Sequence, residues 1–286
     1  MLAAETAATT VRATVNYLDP ALDRGRFDVV DPALSRMPLE AHEVEIRDMR
    51  AAAGELSLDR QGFVLASHES AVARRPEMQE TNLVAQHGLP PINQAYYEEL
   101  LPLIHQLSGA REVIPQATGL TVRYSARSER QSWAGAAGLI HLDVTEASAR
   151  RFLDFSLTAA GREIAPWSRV VLVQTWRTIV DPPQDNLLAL CDRRSVPHSD
   201  VVFYDAVIGQ TGTALEVIEA RGCRYGPGHE WWAAPDMGPR DVLVFIGHDS
   251  ATPNAVQPFH TGFDVPGHEQ ATPRASLEAR FFAFYD

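Results

Sequence analysis

The chain has no lysine; all 25 of its basic residues are arginine. That absence removes Schiff-base chemistry, pyridoxal-phosphate attachment, Walker-A phosphate binding and any lysine general base. Positive charge is scarce altogether. Thirty-seven acids against 25 arginines give a formal charge of −12, the wrong sign for a nucleic-acid binder or a polybasic reader of membranes. Cysteine occurs only as Cys191 and Cys223, too few for a disulfide framework or a cysteine-rich zinc cage. No stretch approaches 18 uncharged apolar residues, so no membrane span is predicted. Residues Met1 to Thr10 have neither a positive start nor a continuous apolar core, so a cytoplasmic location is expected. No G-x-G-x-x-G opens a helix. Gly226-Pro227-Gly228 comes nearest, and no helical pattern follows it.

What remains is ordinary globular composition, 45% hydrophobic and 22% charged over 286 residues without repeats, enough for one sizeable core and read as a single domain over 1–286. Helical spacing of Tyr96, Tyr97, Leu100, Leu101, Ile104 and Leu107 predicts a helix from Asn93 to Ser108, with Pro102 inside it and Gly109 closing it. A second helix is predicted from a Thr145 cap to Ala160, with Phe152, Phe155 and Ala159 inward and Gly161 at its end. Earlier, Glu43–Ile46 and 61–65 read as short strands. From Arg169 onward, β-branched and aromatic runs (Val170–Thr175, Val201–Tyr204, Leu215–Ile218, Val242–Ile246, Ser276–Tyr285) alternate with Pro/Gly/Asp-rich turns. Many short strands predict a sandwich or barrel. The expected fold is mainly β with flanking helices. An antiparallel jelly roll over about 121–286 stands on helical and strand support from about 1–120.

Ten histidines without a cysteine cage direct attention to His/carboxylate metal sites. His141-Leu142-Asp143 lies in a strand-like run, where residues two apart share a face and can ligate one ion. A distant histidine would complete a 2-His-1-carboxylate triad with open positions. His198-Ser199-Asp200 is the second His-x-Asp and has no obvious third ligand. Toward the C-terminus, His260 is followed by Arg274-Ala275-Ser276-Leu277-Glu278-Ala279-Arg280. Arg274, Ser276, Glu278 and Arg280 share one face of a strand. A guanidinium inside a barrel needs an anion and pairs bidentately with a carboxylate. Arg274, with Ser276 beside it, is the first choice for holding a dicarboxylate. Arg280 is the second candidate and is expected to pair with Glu278 or another core acid.

His-x-Asp, a distal His and then Arg-x-Ser resemble the Fe(II)/2-oxoglutarate-dependent dioxygenases. A narrower resemblance covers most of the chain. Tyr17-Leu18-Asp19-Pro20, Val44 to Arg50, Leu58 to Phe63, His141 to Thr145, Thr175-Trp176-Arg177, Leu190-Cys191-Asp192 through Val196, His229-Glu230-Trp231-Trp232 to Asp236-Met237, Asp249-Ser250 and Arg274 to Arg280 occur in the order seen in the hydroxylase/desaturase AsaB-like family, which includes CmcJ-like and gibberellin desaturase-like proteins. The chain departs from that family's pattern at Val144, at Gln174 and Thr178 around Trp176-Arg177, and at His248.

The resemblance implies a double-stranded β-helix core of the cupin-like kind. It also implies an oxygenase that uses Fe(II), 2-oxoglutarate and O2 to hydroxylate, desaturate or oxidatively cyclise a small molecule of secondary metabolism. His141, Asp143 and His260 would hold the metal, and Arg274, Ser276 and Arg280 the cosubstrate. Trp176, Arg177, Asp192, His229 and Trp231 would lie around the substrate, with Asp192 as the partner of Arg177. Two other readings stay open: an auxiliary jelly-roll partner of a methoxylation or methyl-transfer system, and a zinc hydrolase on the same triad. The expected partner is a small molecule, with no nucleic acid and no membrane; oligomeric state is left open.

Overall fold

The computed structural model describes residues 10–80, 91–130, 137–161, 163, 166–211 and 214–286. In chain order the strands are β1 (Thr10–Leu18), β2 (Arg24–Asp28), β3 (Leu39–Asp48), β4 (Phe63–Ser67), β5 (Glu112–Pro115), β6 (Thr121–Tyr124), β7 (His141–Leu142) and β8 (Arg169–Thr178). They continue with β9 (Asn186–Cys191), β10 (Val201–Thr211), β11 (Ala214–Cys223), β12 (Trp231–Ala233), β13 (Asp241–Asp249), β14 (His260–Asp264) and β15 (Ala275–Tyr285). Helix α1 spans Pro91–Ser108 and α2 spans Glu146–Ala160. The strands form a nine-stranded sheet, β1-β3-β12-β9-β14-β7-β11-β10-β2, and a smaller sheet, β4-β13-β8-β15-β5, with β6 also pairing β15. This is the mainly β jelly roll expected. The N-terminal strands are woven into it: β3 runs parallel to β12, β2 parallel to β10, and β4 antiparallel to β13.

The smaller sheet is centred on β8, RVVLVQTWRT, which is buried on both faces along nearly its whole length. Its odd positions, Val171 and Val173, join Leu277, Ala279, Phe281 and Ala283 of β15 under α1. The opposite face turns toward the large sheet, where Trp176, Leu188, Leu190, Leu243 and Phe245 make an inter-sheet core. Helix α1 packs Tyr96, Tyr97, Leu100 and Ile104 inward. Pro102 lies on its exposed side, so the hydrogen bond proline cannot donate is lost where water replaces it. Gly109 follows at φ 63° and donates to the His105 carbonyl, a left-handed stop that favours glycine.

The second helix begins where expected. The Thr145 backbone N–H donates to Ser148 Oγ (2.8 Å), while the Ser148 N–H reaches back to Thr145 Oγ1 (3.5 Å). Gly161 ends the helix at φ 62°. Its inner face differs from the expectation. Ala149, Leu153 and Ser156 are buried, whereas Phe155 is 46% exposed and Ala159 is exposed as well. The helix is therefore rotated so that small and aliphatic residues sit against Leu172, Phe282 and Phe284.

A candidate metal centre

His141 and His260 are direct cross-strand partners on β7 and β14, and opposed side chains on neighbouring strands lie close. Their ring centroids are 4.3 Å apart. The strand around His141 is shorter than the sequence suggests: it ends at Leu142, and Asp143 stands in the bend leading to α2. Leaving the sheet lets its carboxylate reach inward, with Oδ1 3.5 Å from His141 Nε2 and Oδ2 3.9 Å from His260 Nε2. Ligand atoms of all three residues lie within 4.8 Å of one another, and no other group of three His, Cys, Asp or Glu side chains does so among the described residues.

The protonation states suit a cation. His141 Nδ1 lies 2.9 Å from the Leu139 carbonyl. A carbonyl only accepts, so Nδ1 carries the proton and Nε2 offers its lone pair inward. His260 Nδ1 faces the Pro258 carbonyl at 3.4 Å in the same manner. Burial, reinforced by His141, depresses His260 to about 4; this imidazole is neutral at physiological pH. Burial pushes the Asp143 carboxyl up, but the Arg280 guanidinium beside it outweighs that and holds it well below the usual range.

His141 and His260 open onto a small pocket, also walled by Trp176, Leu188, Phe245, Arg123, Glu278 and Arg274. Arg274 is 1% exposed, makes no ion pair among the described residues, and has a buried Nε without a partner. Its guanidinium carbon stands 5.6 Å from the Trp176 ring centroid. Burial lowers it to about 10, so it remains a cation at neutral pH. Glu278 sits half-buried between two guanidiniums, accepting from Arg123 Nε at 2.7 Å and Arg280 Nη2 at 3.4 Å. Arg280 Nη2 also donates to Asp143 Oδ2 at 2.9 Å.

Several residues expected near the site are placed elsewhere. Ser276 is fully buried, and its hydroxyl faces the Arg123 carbonyl at 3.4 Å, off the cavity wall. Trp176 lines the cavity, but Arg177, next along β8, points to the opposite face, donating to the His68 carbonyl at 2.6 Å. Asp192 is not its partner: it binds Arg194 at 2.6 Å and caps the turn at Arg193–Ser195. His229 joins Asp200 and the Tyr17 hydroxyl, both at 3.1 Å, and Trp231 donates to the same hydroxyl at 2.8 Å. Those two belong to the large sheet's own core, and Asp200 is thereby taken from the competing His198/Asp200 pair. The main residue missed is Gln174, whose Nε2 donates to Asp143 Oδ2 at 2.9 Å. A lone amide in the apolar run 170–174, two residues from Trp176 and on its face, was the available signal.

Known proteins supply the comparison. The family description "oxidoreductase/YMDC permease-like domain" (YDMC) matches residues 15–284. No described helix is long and apolar enough to cross a membrane. The hydroxylase/desaturase efuI of Hormonema carpetanum is 26% identical, the match covering 97% of this chain and 96% of efuI. The alpha-ketoglutarate-dependent dioxygenase tstK of Talaromyces stipitatus is 23% identical over 85% and 84% of the two chains. The hydroxylase/desaturase asaB of Aspergillus flavus is 28% identical over 46% of this chain and 62% of its own. Among solved structures, the iron and alpha-ketoglutarate-dependent endoperoxidase NvfI superposes with a TM-score of 0.77 at 18% identity, covering 97% and 98% of the chains, a likeness of fold. The resemblance to AsaB-like hydroxylases and desaturases is borne out.

Proposed function

This chain belongs to the oxidoreductase/YMDC permease-like domain family, and from that premise we propose that it is an Fe(II)- and 2-oxoglutarate-dependent oxygenase of a small secondary metabolite. The observation that carries the reading is Arg274, a buried guanidinium that makes no ion pair among the described residues, in the pocket lined by His141 and His260 beside Asp143. An unpaired buried charge is costly, and a dicarboxylate whose far end reaches it removes that cost. The donor set fits the metal: two imidazoles and one ionised carboxylate leave half of an octahedron for cosubstrate and dioxygen. Bound iron with 2-oxoglutarate and O2 supplies the oxidising power that removes hydrogen from an unactivated C–H bond.

The chain's own residues bind, orient and shield. Arg274 grips the distal carboxylate with its planar fork, and the Trp176 face lies against that guanidinium. Leu188 and Phe245 wall the cavity with apolar surface, keeping water from the oxidant. Hydroxylation, desaturation and cyclisation differ in how the substrate radical is held, so positioning and not acid–base chemistry sets the product. The reading of a single domain is supported by the family match over residues 15–284 and by sheets that mix strands from both ends of the chain. A cytoplasmic location belongs to the same proposal. Neither the auxiliary-protein nor the zinc-hydrolase reading accounts for the empty-handed Arg274.

Anaerobic addition of Fe(II) and then 2-oxoglutarate tests this directly. A weak visible charge-transfer band is expected, lost in His141→Ala and Asp143→Ala. Wild-type protein that binds Fe(II) but gives no band with 2-oxoglutarate overturns the cosubstrate assignment.

A further inference from the structure

We infer that Gln174 is a positioning residue that fixes how Asp143 meets the metal, and that Gly247 is glycine to make room for it. The inference rests on reading His141, Asp143 and His260 as a metal site. Two donors converge on a single oxygen of Asp143: Gln174 Nε2 and Arg280 Nη2 each lie 2.9 Å from Oδ2. They are cross-strand partners on β8 and β15, so the small sheet presents them side by side to a carboxylate arriving from the large one. Oδ1 receives neither donor and faces His141 Nε2 at 3.5 Å, while Oδ2, 3.9 Å from His260 Nε2, is occupied by both. A carboxylate free to turn about its χ2 can chelate through both oxygens. Held twice by Oδ2, it offers Oδ1 alone, which keeps a coordination position from being filled by protein.

Arg280 divides its charge between Asp143 and Glu278, whereas Gln174 is neutral and contributes only direction. Its burial is otherwise unfavourable, since Gln174 Oε1 is buried with no partner. An apolar residue would avoid that cost but would leave Arg280 alone to orient Asp143. Gly247 completes the device. The β13–β8 register slips between Ile246 and His248, and a Cβ on Gly247 would stand 2.5 Å from Gln174 Oε1 and 3.1 Å from Leu172 Cδ2. Its backbone is not left-handed, so space and not φ demands glycine.

The test uses metal-free protein titrated with Co(II) alone, followed by visible absorption, with thermal unfolding of the metal-free form alongside. Gln174→Leu is expected to weaken Co(II) binding by roughly tenfold to a hundredfold. The Co(II) band should lose intensity as the second carboxylate oxygen joins the ion, while the metal-free melting temperature is unchanged or raised. Gly247→Ala, which displaces Gln174 without altering it, should weaken binding in the same way and add nothing in the Gln174→Leu background. Wild-type affinity in Gln174→Leu overturns the inference, as does an equal effect of Gly247→Ala with and without Gln174. Wild-type protein that takes up no Co(II) fails the metal-site reading itself. Tight wild-type binding with indifferent variants sinks only the role of Gln174.

Discussion

Arg274, just ahead of β15, and Arg280, on it, are assigned opposite duties by the proposed function, and substitution separates them. Arg274 makes no ion pair among the described residues, so Arg274→Lys keeps the charge and loses the fork. A charge-assisted pair is worth roughly 1.5–3 kcal/mol, which sets the expected loss of 2-oxoglutarate affinity at one to two orders of magnitude, with little change in melting temperature. A 2-oxoglutarate titration of the charge-transfer band reads it. Arg280 neutralises Asp143 and Glu278, and both acids raise its affinity for the proton against the effect of burial. Arg280→Met leaves the largely buried Asp143 without its guanidinium and Glu278 with Arg123 alone, and should cost up to roughly 3 kcal/mol, seen as a lower denaturant midpoint of the metal-free protein. Loss of cosubstrate affinity at Arg280 with full stability would reverse these roles. The chemistry of His141, Asp143, His260 and Arg274 was legible because those residue types have few uses in a buried strand. Gln174 was not, because an amide announces no reaction, and its importance lies in what it touches across the sandwich.

Among the elements, the strands with continuous apolar runs were readable from sequence, as were parts of the amphipathic β3, β10 and β11, whereas β1 was not. Strand β1 alternates Val11, Ala13, Val15 and Tyr17 with Thr10, Arg12, Thr14 and Asn16, a half-buried pattern diluted by polar residues and by the proline that follows. Strand β7 was overread. Only two residues pair, because Asp143 has to leave the large sheet to meet Gln174 and Arg280. On α2 the aromatic weight of Phe155 misled, since helix rotation is set by the shape of the groove over Leu172 and Phe282 and not by hydrophobicity alone. The cap of α2 lies two residues past Asp143, so Thr145→Ala should cost about 1 kcal/mol and frays the turn from which the carboxylate is hung. Chemical denaturation of the metal-free protein measures the first effect. A normal midpoint would show that the helix is held by its packing alone.

At the level of the whole molecule, the site makes the metal-free protein sensitive to acid. His260 titrates near 4 in the fold and near 6.5 once unfolded. Between those values the unfolded chain takes up a proton that the native state refuses, so stability is complete above about 6.5 and falls as pH drops toward 4. At about 1.4 kcal/mol per unit, the loss amounts to a few kcal/mol. Below about 3.8, Asp143 adds to it, because its carboxylate is favoured in the native state. Melting temperatures of the metal-free protein from pH 4 to 7 should therefore rise with pH, and His260→Gln should flatten the rise. A profile that is flat in the wild type would contradict the buried neutral imidazole. The path of Asp143 has one more consequence. The histidines belong to the nine-stranded sheet, while the carboxylate beside them is moored to the six-stranded one, so an ion held by all three is a clasp between the two halves of the sandwich. Metal at a hundredfold excess over its dissociation constant adds about 2.7 kcal/mol to any opening that releases it. Amide protons of β7 and β14 should then exchange more slowly in step with those of β8 and β15, two regions distant in sequence that loading with metal makes into one cooperative unit.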